Sequence, residues 1–221
     1  MHLIRRLLFL FCLIPVFAIG QQINIVQKPI IFDETRAQLS LDYLKKRHNL
    51  TQQTPTIKPS MIILHWTASS SLMGTYNAFN RSFLPSSRKA LASASKLNVS
   101  SHYLVDRDGT IYQLLPDTVF ARHSIGLNYC AIGVENVGSD NYPLTQAQLF
   151  ANERLIRYLC KKYNIQYLIG HYEHTWFKNT PLWRETDPYY HSDKRDPGRI
   201  FMRNIREELQ DLNLKGAPTQ R

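Results

Sequence analysis

The run Met61-Ile-Ile-Leu-His-Trp-Thr67 constrains the fold more than any other stretch of this chain. Four successive apolar residues read as a short strand driven into a core, closed by an imidazole and a hydroxyl. A second run, Ile165-Gln-Tyr-Leu-Ile-Gly-His171, repeats the pattern and again ends on a histidine. "AIGVENVG", residues 131–138, is another short strand, with Gly133 and Gly138 near its ends. "SHYLVDRDGTIYQLLPD", residues 101–117, reads as a hairpin, because two apolar runs flank Arg107-Asp108-Gly109 and Asp-Gly signals a tight turn. The clearest helix is "LTQAQLFANERLIRYLCKKYN", residues 144–164. There Thr145 and Gln148 make a capping box, and Leu149, Ile156, Cys160 and Tyr163 share one face. A last helix follows Pro197-Gly198. Residues 36–50, "RAQLSLDYLKKRHNL", form a helix ahead of the first strand, expected on the outside of the domain. Residues 21–33 read as extended and irregular, and residues 68–100 as helix and loop. Strands interleaved with helices and one hairpin imply an α/β fold, a mixed central β-sheet flanked by helices, in a single domain with an N-terminal extension.

The first twenty residues are a separate object. Arg5 and Arg6 give a basic start, Leu7 to Ala18 an apolar run, and Ala18-Ile19-Gly20 a small-x-small cleavage pattern. That is a secretory signal peptide, too short and wrongly flanked for a stable membrane span; an uncleaved anchor is the alternative. Export to a periplasm or to the outside follows. The remaining boundaries are an extension with a helix over 21–57, a main domain over 58–215 and a flexible tail over 216–221. Loss of Arg5 and Arg6 takes the formal net charge from +10 to +8. A basic exported protein suits an anionic polymer, cell wall or nucleic acid, and charge alone does not choose. After cleavage Cys130 and Cys160 remain, and the sequence leaves open whether they pair.

Two core strands ending in the same residue type is the first coincidence with chemical content. If they are parallel neighbours, His65 and His171 meet at the edge of the sheet where ligand sites in open α/β folds lie. Two neutral imidazoles suit zinc, with a third protein ligand and an open position for water. Asp196, before the Pro197-Gly198 turn, is the candidate third ligand, and Lys194 stands two residues earlier. The ligands are scattered, and no H-E-x-x-H helix is present, so the residues alone leave a metal site and a pair of structural histidines both open.

The ordered set "ILHWTAS", "VSSHYLVDRDGTIYQLLPD", "ARHS" with Asn128, "AIGVENVG", "IGHYE" and "KRDPG" resembles the zinc-dependent N-acetylmuramoyl-L-alanine amidases. That type-2 amidase family also contains the peptidoglycan recognition proteins. The resemblance spans about residues 58–202. It implies that His65, His171 and Asp196 bind Zn2+ and that Glu135 and Lys194 act in catalysis. The substrate it implies is peptidoglycan or a muropeptide, cut between N-acetylmuramic acid and L-alanine. It also implies that His123 and Asn128 line the substrate groove, where each either binds the muropeptide or orders its own loop. Some members carry a tyrosine just before the histidine of the "HYL" strand; here Ser101 stands there, so the catalytic weight falls on Glu135.

The other histidines are expected elsewhere. His102 alternates with Ser101 and Tyr103, so it faces the other side of the strand from them and is assigned a structural role, while His174 and His191 are assigned to a solvated loop. That loop, "EHTWFKNTPLWRETDPYYHS", gathers Trp176, Phe177, Trp183, Tyr189 and Tyr190, either to stack on sugars or to form a satellite core. The leading expectation is an exported zinc amidase, monomeric and without a nucleic-acid partner. The alternative is a module that binds peptidoglycan without cutting it.

Overall fold

The computed structural model of the chain describes residues 23–219. The expected signal peptide lies outside them, as do the last two residues of the expected tail. Six strands form one sheet: β1 (Ile25–Gln27), β2 (Met61–Trp66), β3 (Tyr103–Val105), β4 (Ile111–Gln113), β5 (Ala131–Asn136) and β6 (Tyr167–Gly170). Their order is β1-β4-β3-β5-β2-β6, with only β3 and β4 antiparallel. Five helices accompany them: α1 (Glu34–His48), α2 (Leu72–Phe79), α3 (Lys89–Ala94), α4 (Gln146–Lys162) and α5 (Arg199–Glu208). The mixed sheet flanked by helices is the architecture the sequence implies.

The central strands are continuously apolar because both of their faces are covered. On one face Ile62, Leu64, Ile132 and Val134 pack against Leu155, Ile156 and Leu159 of α4 and Met202 and Ile205 of α5. On the other, Met61, Ile63, Ala131 and Ile169 pack against Leu127 and Phe177. The two-residue period of a strand puts His65 on the second face with Met61 and Ile63, and Glu135 on it with Ala131 and Gly133. The capping box of α4 forms as the sequence predicts, with Thr145 accepting from the Gln148 backbone and Gln148 from that of Thr145. The hairpin also forms, pairing Val105 with Ile111.

Three expectations change. Residues 21–33 are not wholly irregular, because β1 pairs in parallel with β4, and Lys28 and Ile30 continue that contact through bonds to Gln113 and Leu114. A three-residue strand is too short to carry a periodic signal. Helix α1 is not an outer appendage: Tyr43 and Leu44 are fully buried with Ile57, Leu97 and Phe120, and the Arg36 guanidinium donates to the Phe79 and Arg81 carbonyls. At the far end, Ala217 still packs beside Met61 and Ile169, so the start of the expected tail is anchored. Cys130 and Cys160 are both free thiols.

Leu44→Ala removes a fully buried side chain of α1 and is expected to cost about 2–5 kcal/mol. A urea midpoint equal to that of the wild type would return α1 to the outside of the domain.

Candidate metal centre and cleft

Strands β5, β2 and β6 run in parallel and end at the same edge of the sheet. His65 lies near the end of β2, in register with Glu135 of β5. His171 follows β6 directly and opens a 3₁₀ turn over residues 171–177. Asp196 comes from the turn before α5, and its carbonyl accepts from the Tyr172 backbone, tying it to the segment that carries His171. His65 Nδ1 is 2.9 Å from His171 Nδ1 and 3.3 Å from Asp196 Oδ2, and His171 Nδ1 is 3.0 Å from the same oxygen.

This triangle fits a zinc ion in kind and in size. Two imidazole nitrogens and a carboxylate oxygen are ordinary zinc donors, and bonds of about 2.0–2.1 Å at tetrahedral angles set donor atoms about 3.3–3.4 Å apart. The three separations lie at or just under that span. Among the described residues this is the one group of three such donors whose atoms all lie close together. Burial and the neighbouring His65 push the His171 imidazole down to about 3, so it is neutral and has a lone pair to give. Burial alone would push Asp196 up, but His171 and His65 more than offset it and hold the carboxyl well below the usual range. A neutral imidazole and an ionised carboxylate are the forms in which these groups bind metal.

Glu135 is the opposite case. Burial, and then the nearby Asp196, raise its carboxyl well above the ordinary glutamate range, with Lys194 and Arg88 only partly offsetting them. Its Oε2 is buried without a partner, in a side chain that lines the cleft. An unsatisfied side-chain oxygen is costly to keep buried, and this one lies beside the donor triangle. Lys194 stands exposed at the rim of the same cleft.

The cleft has a volume of about 350 Å³, with Thr75 and Ala78 of α2, Arg88 and Leu91, and Tyr190 and Ser192 among its lining residues. Arg122 braces it, donating to the carbonyls of Leu91, Ser95 and Leu97 and to the Tyr190 hydroxyl. The wall at Tyr190 is also held from α1. Arg47 pairs with Glu185 at 2.8 Å and lies over the Tyr190 ring, while Thr186 bonds the Arg47 and Lys46 carbonyls.

The two expected groove residues are already engaged. His123 Nε2 is 3.1 Å from the Ala131 carbonyl and its Nδ1 is 3.1 Å from His65 Nε2. The Asn128 side-chain oxygen accepts from the backbones of His123 and Ser124, which orders its own loop. His102 has the structural role expected of it: Nε2–H donates to Val119 and Nδ1 accepts from Gly133. Ser101 is fully buried and bonds the Tyr103 carbonyl, away from the cleft.

His174 departs from the solvated position expected of it. It is buried, donates Nδ1–H to the His171 carbonyl at 2.7 Å and sets its ring at a tilt, 4.9 Å from the centre of the His171 ring, because the 3₁₀ turn folds it inward. His191 remains exposed, as expected. In the aromatic loop, Phe177 and Trp183 join the cluster of Met61, Ile63 and Ile169, Tyr189 is exposed and Tyr190 faces the cleft, so core and cleft wall share the loop. Sequence reasoning passed over Glu173, whose buried carboxylate takes the Gly170 N–H and the Arg206 guanidinium and so fixes the start of the turn carrying His171. It passed over Asn136 too. Asn136 donates to the His65 carbonyl and accepts from Asn152 of α4.

Residues 55–199 match the protein family described as N-acetylmuramoyl-L-alanine amidase. Among solved structures the chain is similar to N-acetylmuramoyl-L-alanine amidase LysC from Clostridium intestinale, with a TM-score of 0.54 and 22% identity over 88% of this chain and 100% of that one. The endolysin amidase LysCS from the same organism gives a TM-score of 0.51 and 22% identity over 87% and 97% of the two chains. A selenomethionine derivative of AmpD gives 0.53 and 21% identity over 83% and 93%. At these identities the likeness is one of fold. No curated protein matches the chain.

The raised carboxyl of Glu135 makes a signed prediction for the metal-free protein. The native state keeps a proton that the unfolded state releases above about pH 4, so this group destabilises the fold as pH rises from there. Glu135→Gln is expected to raise the thermal midpoint at pH 7–8, with the gain shrinking to nothing at and below pH 4. A variant no more stable than the wild type at pH 8 would refute the desolvated carboxyl.

Proposed function

The chain belongs to the N-acetylmuramoyl-L-alanine amidase family, and from that premise we propose that it is an exported zinc hydrolase. Its substrate is the amide bond between N-acetylmuramic acid and the first L-alanine of the stem peptide, in peptidoglycan or in a released muropeptide. The observation that carries this reading is the meeting of three donors, on His65, His171 and Asp196, beside the unpartnered, desolvated Glu135 carboxyl in an open cleft. A module that only held peptidoglycan would have no use for such a carboxyl.

Zinc held by His65, His171 and Asp196 would acidify a water and polarise the scissile carbonyl. The residues of the chain supply the rest. Glu135 takes the proton from the attacking water and returns it to the leaving alanine nitrogen, a task suited to a carboxyl that lies beside the donors with one oxygen unpartnered. The Lys194 ammonium, at the rim, balances the negative charge that grows on the carbonyl oxygen as the tetrahedral centre forms. Asp196 stays ionised and never enters the proton traffic. The walls built by α2 and by the segment around Tyr190 and Ser192 hold the glycopeptide across the cleft.

The basic "MHLIRRLLF…" leader supports export, and among the described residues no helix is long and apolar enough to cross a membrane. The mature chain then acts as a monomer on wall material in the periplasm or outside the cell, with no nucleic-acid partner.

Incubation of the mature protein with peptidoglycan and with soluble muropeptides tests the reading. Newly exposed L-alanine amino groups should appear, vanish on chelation and return with zinc. Glu135→Ala should lower the rate about 10²–10⁴-fold while zinc still binds. Zinc uptake without any release of stem peptide would leave a binding module instead.

A further inference from the structure

On the face of the sheet that carries the donor triangle, three histidine rings stand in a row. His102 and His123 are 5.9 Å apart between ring centres, and His123 and His65 are 5.1 Å apart. The hydrogen bonds along this row have a forced direction. The Ala131 carbonyl can only accept, so His123 Nε2 carries the proton on that side. A neutral His123 then has a bare Nδ1, which can only accept from His65 Nε2, 3.1 Å away. His65 therefore carries its proton on Nε2, and its Nδ1 lone pair points at His171 and Asp196.

The row exists because one residue beneath it has no side chain. A Cβ on Gly133 would lie 2.7–2.8 Å from three atoms of the His123 ring, closer than carbon atoms approach. Gly133 shares the face of β5 with Ala131 and Glu135, so its missing side chain is the slot in which the ring sits. The Gly133 N–H is in turn fixed by His102 Nδ1 at 3.0 Å.

We propose that His123 is a positioning residue for the metal centre: seated over Gly133 and anchored on the Ala131 carbonyl, it sets which nitrogen of His65 is free to bind the ion. This rests on the zinc reading above. It assigns His123 to the metal rather than to the muropeptide, since both ring nitrogens are committed inside the fold. Partners beyond the ligands commonly set metal affinity, and their loss costs about 10- to 100-fold.

Zinc affinity is measured by competition with a chelating dye, on the wild type, His123→Ala, His123→Asn and Gly133→Ala. The expected result is a loss of about 10- to 100-fold for His123→Ala. Gly133→Ala should lose a similar amount, because the ring must leave its slot although no ligand is touched. His123→Asn should recover most of the affinity, since its Oδ1 can stand where the ring's Nδ1 does. A role in folding alone would lower the thermal midpoints without separating the alanine from the asparagine variant. In parallel, metal-free protein labelled with 15N-histidine is examined for a scalar coupling across the His65 Nε2–H···Nδ1 His123 bond.

Zinc affinity in His123→Ala within about twofold of the wild type would overturn the proposal, as would the absence of the coupling from the folded wild type. A wild type that shows the coupling yet takes up no zinc would sink the zinc reading and leave the His123–His65 pairing standing. The two failures are thus distinguishable.

Discussion

Parallel pairing of β5, β2 and β6 is the constraint on which the rest of the molecule depends. Parallel strands end at one edge, so the pairing alone brings Glu135, His65 and His171 together from positions up to 106 residues apart. Parallel sheets need helices on their faces, and α4 and α5 supply that cover on the side away from the site. On the opposite side α2 packs over Leu104 of β3, and loops and the turn after β6 cover the rest. The cleft opens there, between α2 and the ends of β2 and β5. A register slip of one residue between β2 and β5 would turn His65 into the helical core and separate it from Glu135.

The same arrangement puts polar side chains inside an apolar core, which is tolerable only where each finds a partner. His102 satisfies Gly133 and Val119, His123 satisfies Ala131 and His65, and Asn152 holds the Asn136 that holds the His65 carbonyl. Glu173 does likewise for Gly170 and Arg206. These bonds leave His65 and His171 little freedom before any ligand arrives. Rigidity in the supporting bonds and an unmet carboxylate oxygen on Glu135 are complementary features: the first places the donors, and the second leaves a group whose hydrogen bonding is completed only by what enters the cleft.

Much of this was legible in the sequence, and the physical reason is locality. The apolar runs of β2, β5 and β6, the Asp-Gly hairpin and the Thr145–Gln148 box are each written within a few residues, and each formed. The donors His65, His171 and Asp196 could be picked out because two of them end apolar runs and the third precedes Pro197-Gly198. Strand β1 could not be read, since three residues carry no period. The burial of His174 depends on a 3₁₀ turn that no local signal announced. The contact of His123 with His65 joins residues 58 apart through the register of two strands. One clue was present: a glycine inside a strand often marks the close approach of another group, and Gly133 sits two residues before Glu135 on the same face.

The family match begins at residue 55, yet the cleft it encloses is not held by residues 55–199 alone. Helix α1 spans residues 34–48, and its last turn grips the long loop that leads into Lys194 and Asp196. Arg47 is the centre of that grip. Its guanidinium pairs with the buried Glu185 carboxylate and lies 4.5 Å from the Tyr190 ring centre, and its carbonyl takes the Thr186 N–H. Tyr190 then meets Arg122, which reaches across to the carbonyls of residues 91–97. The chain of contacts therefore runs from α1, through the loop wall, to the opposite side of the cleft. An ion pair this enclosed needs both partners, because removing one strands the other without solvent. The extension thus braces the wall of the cleft, while His65 stands on the sheet and His171 and Asp196 on the turns beside it.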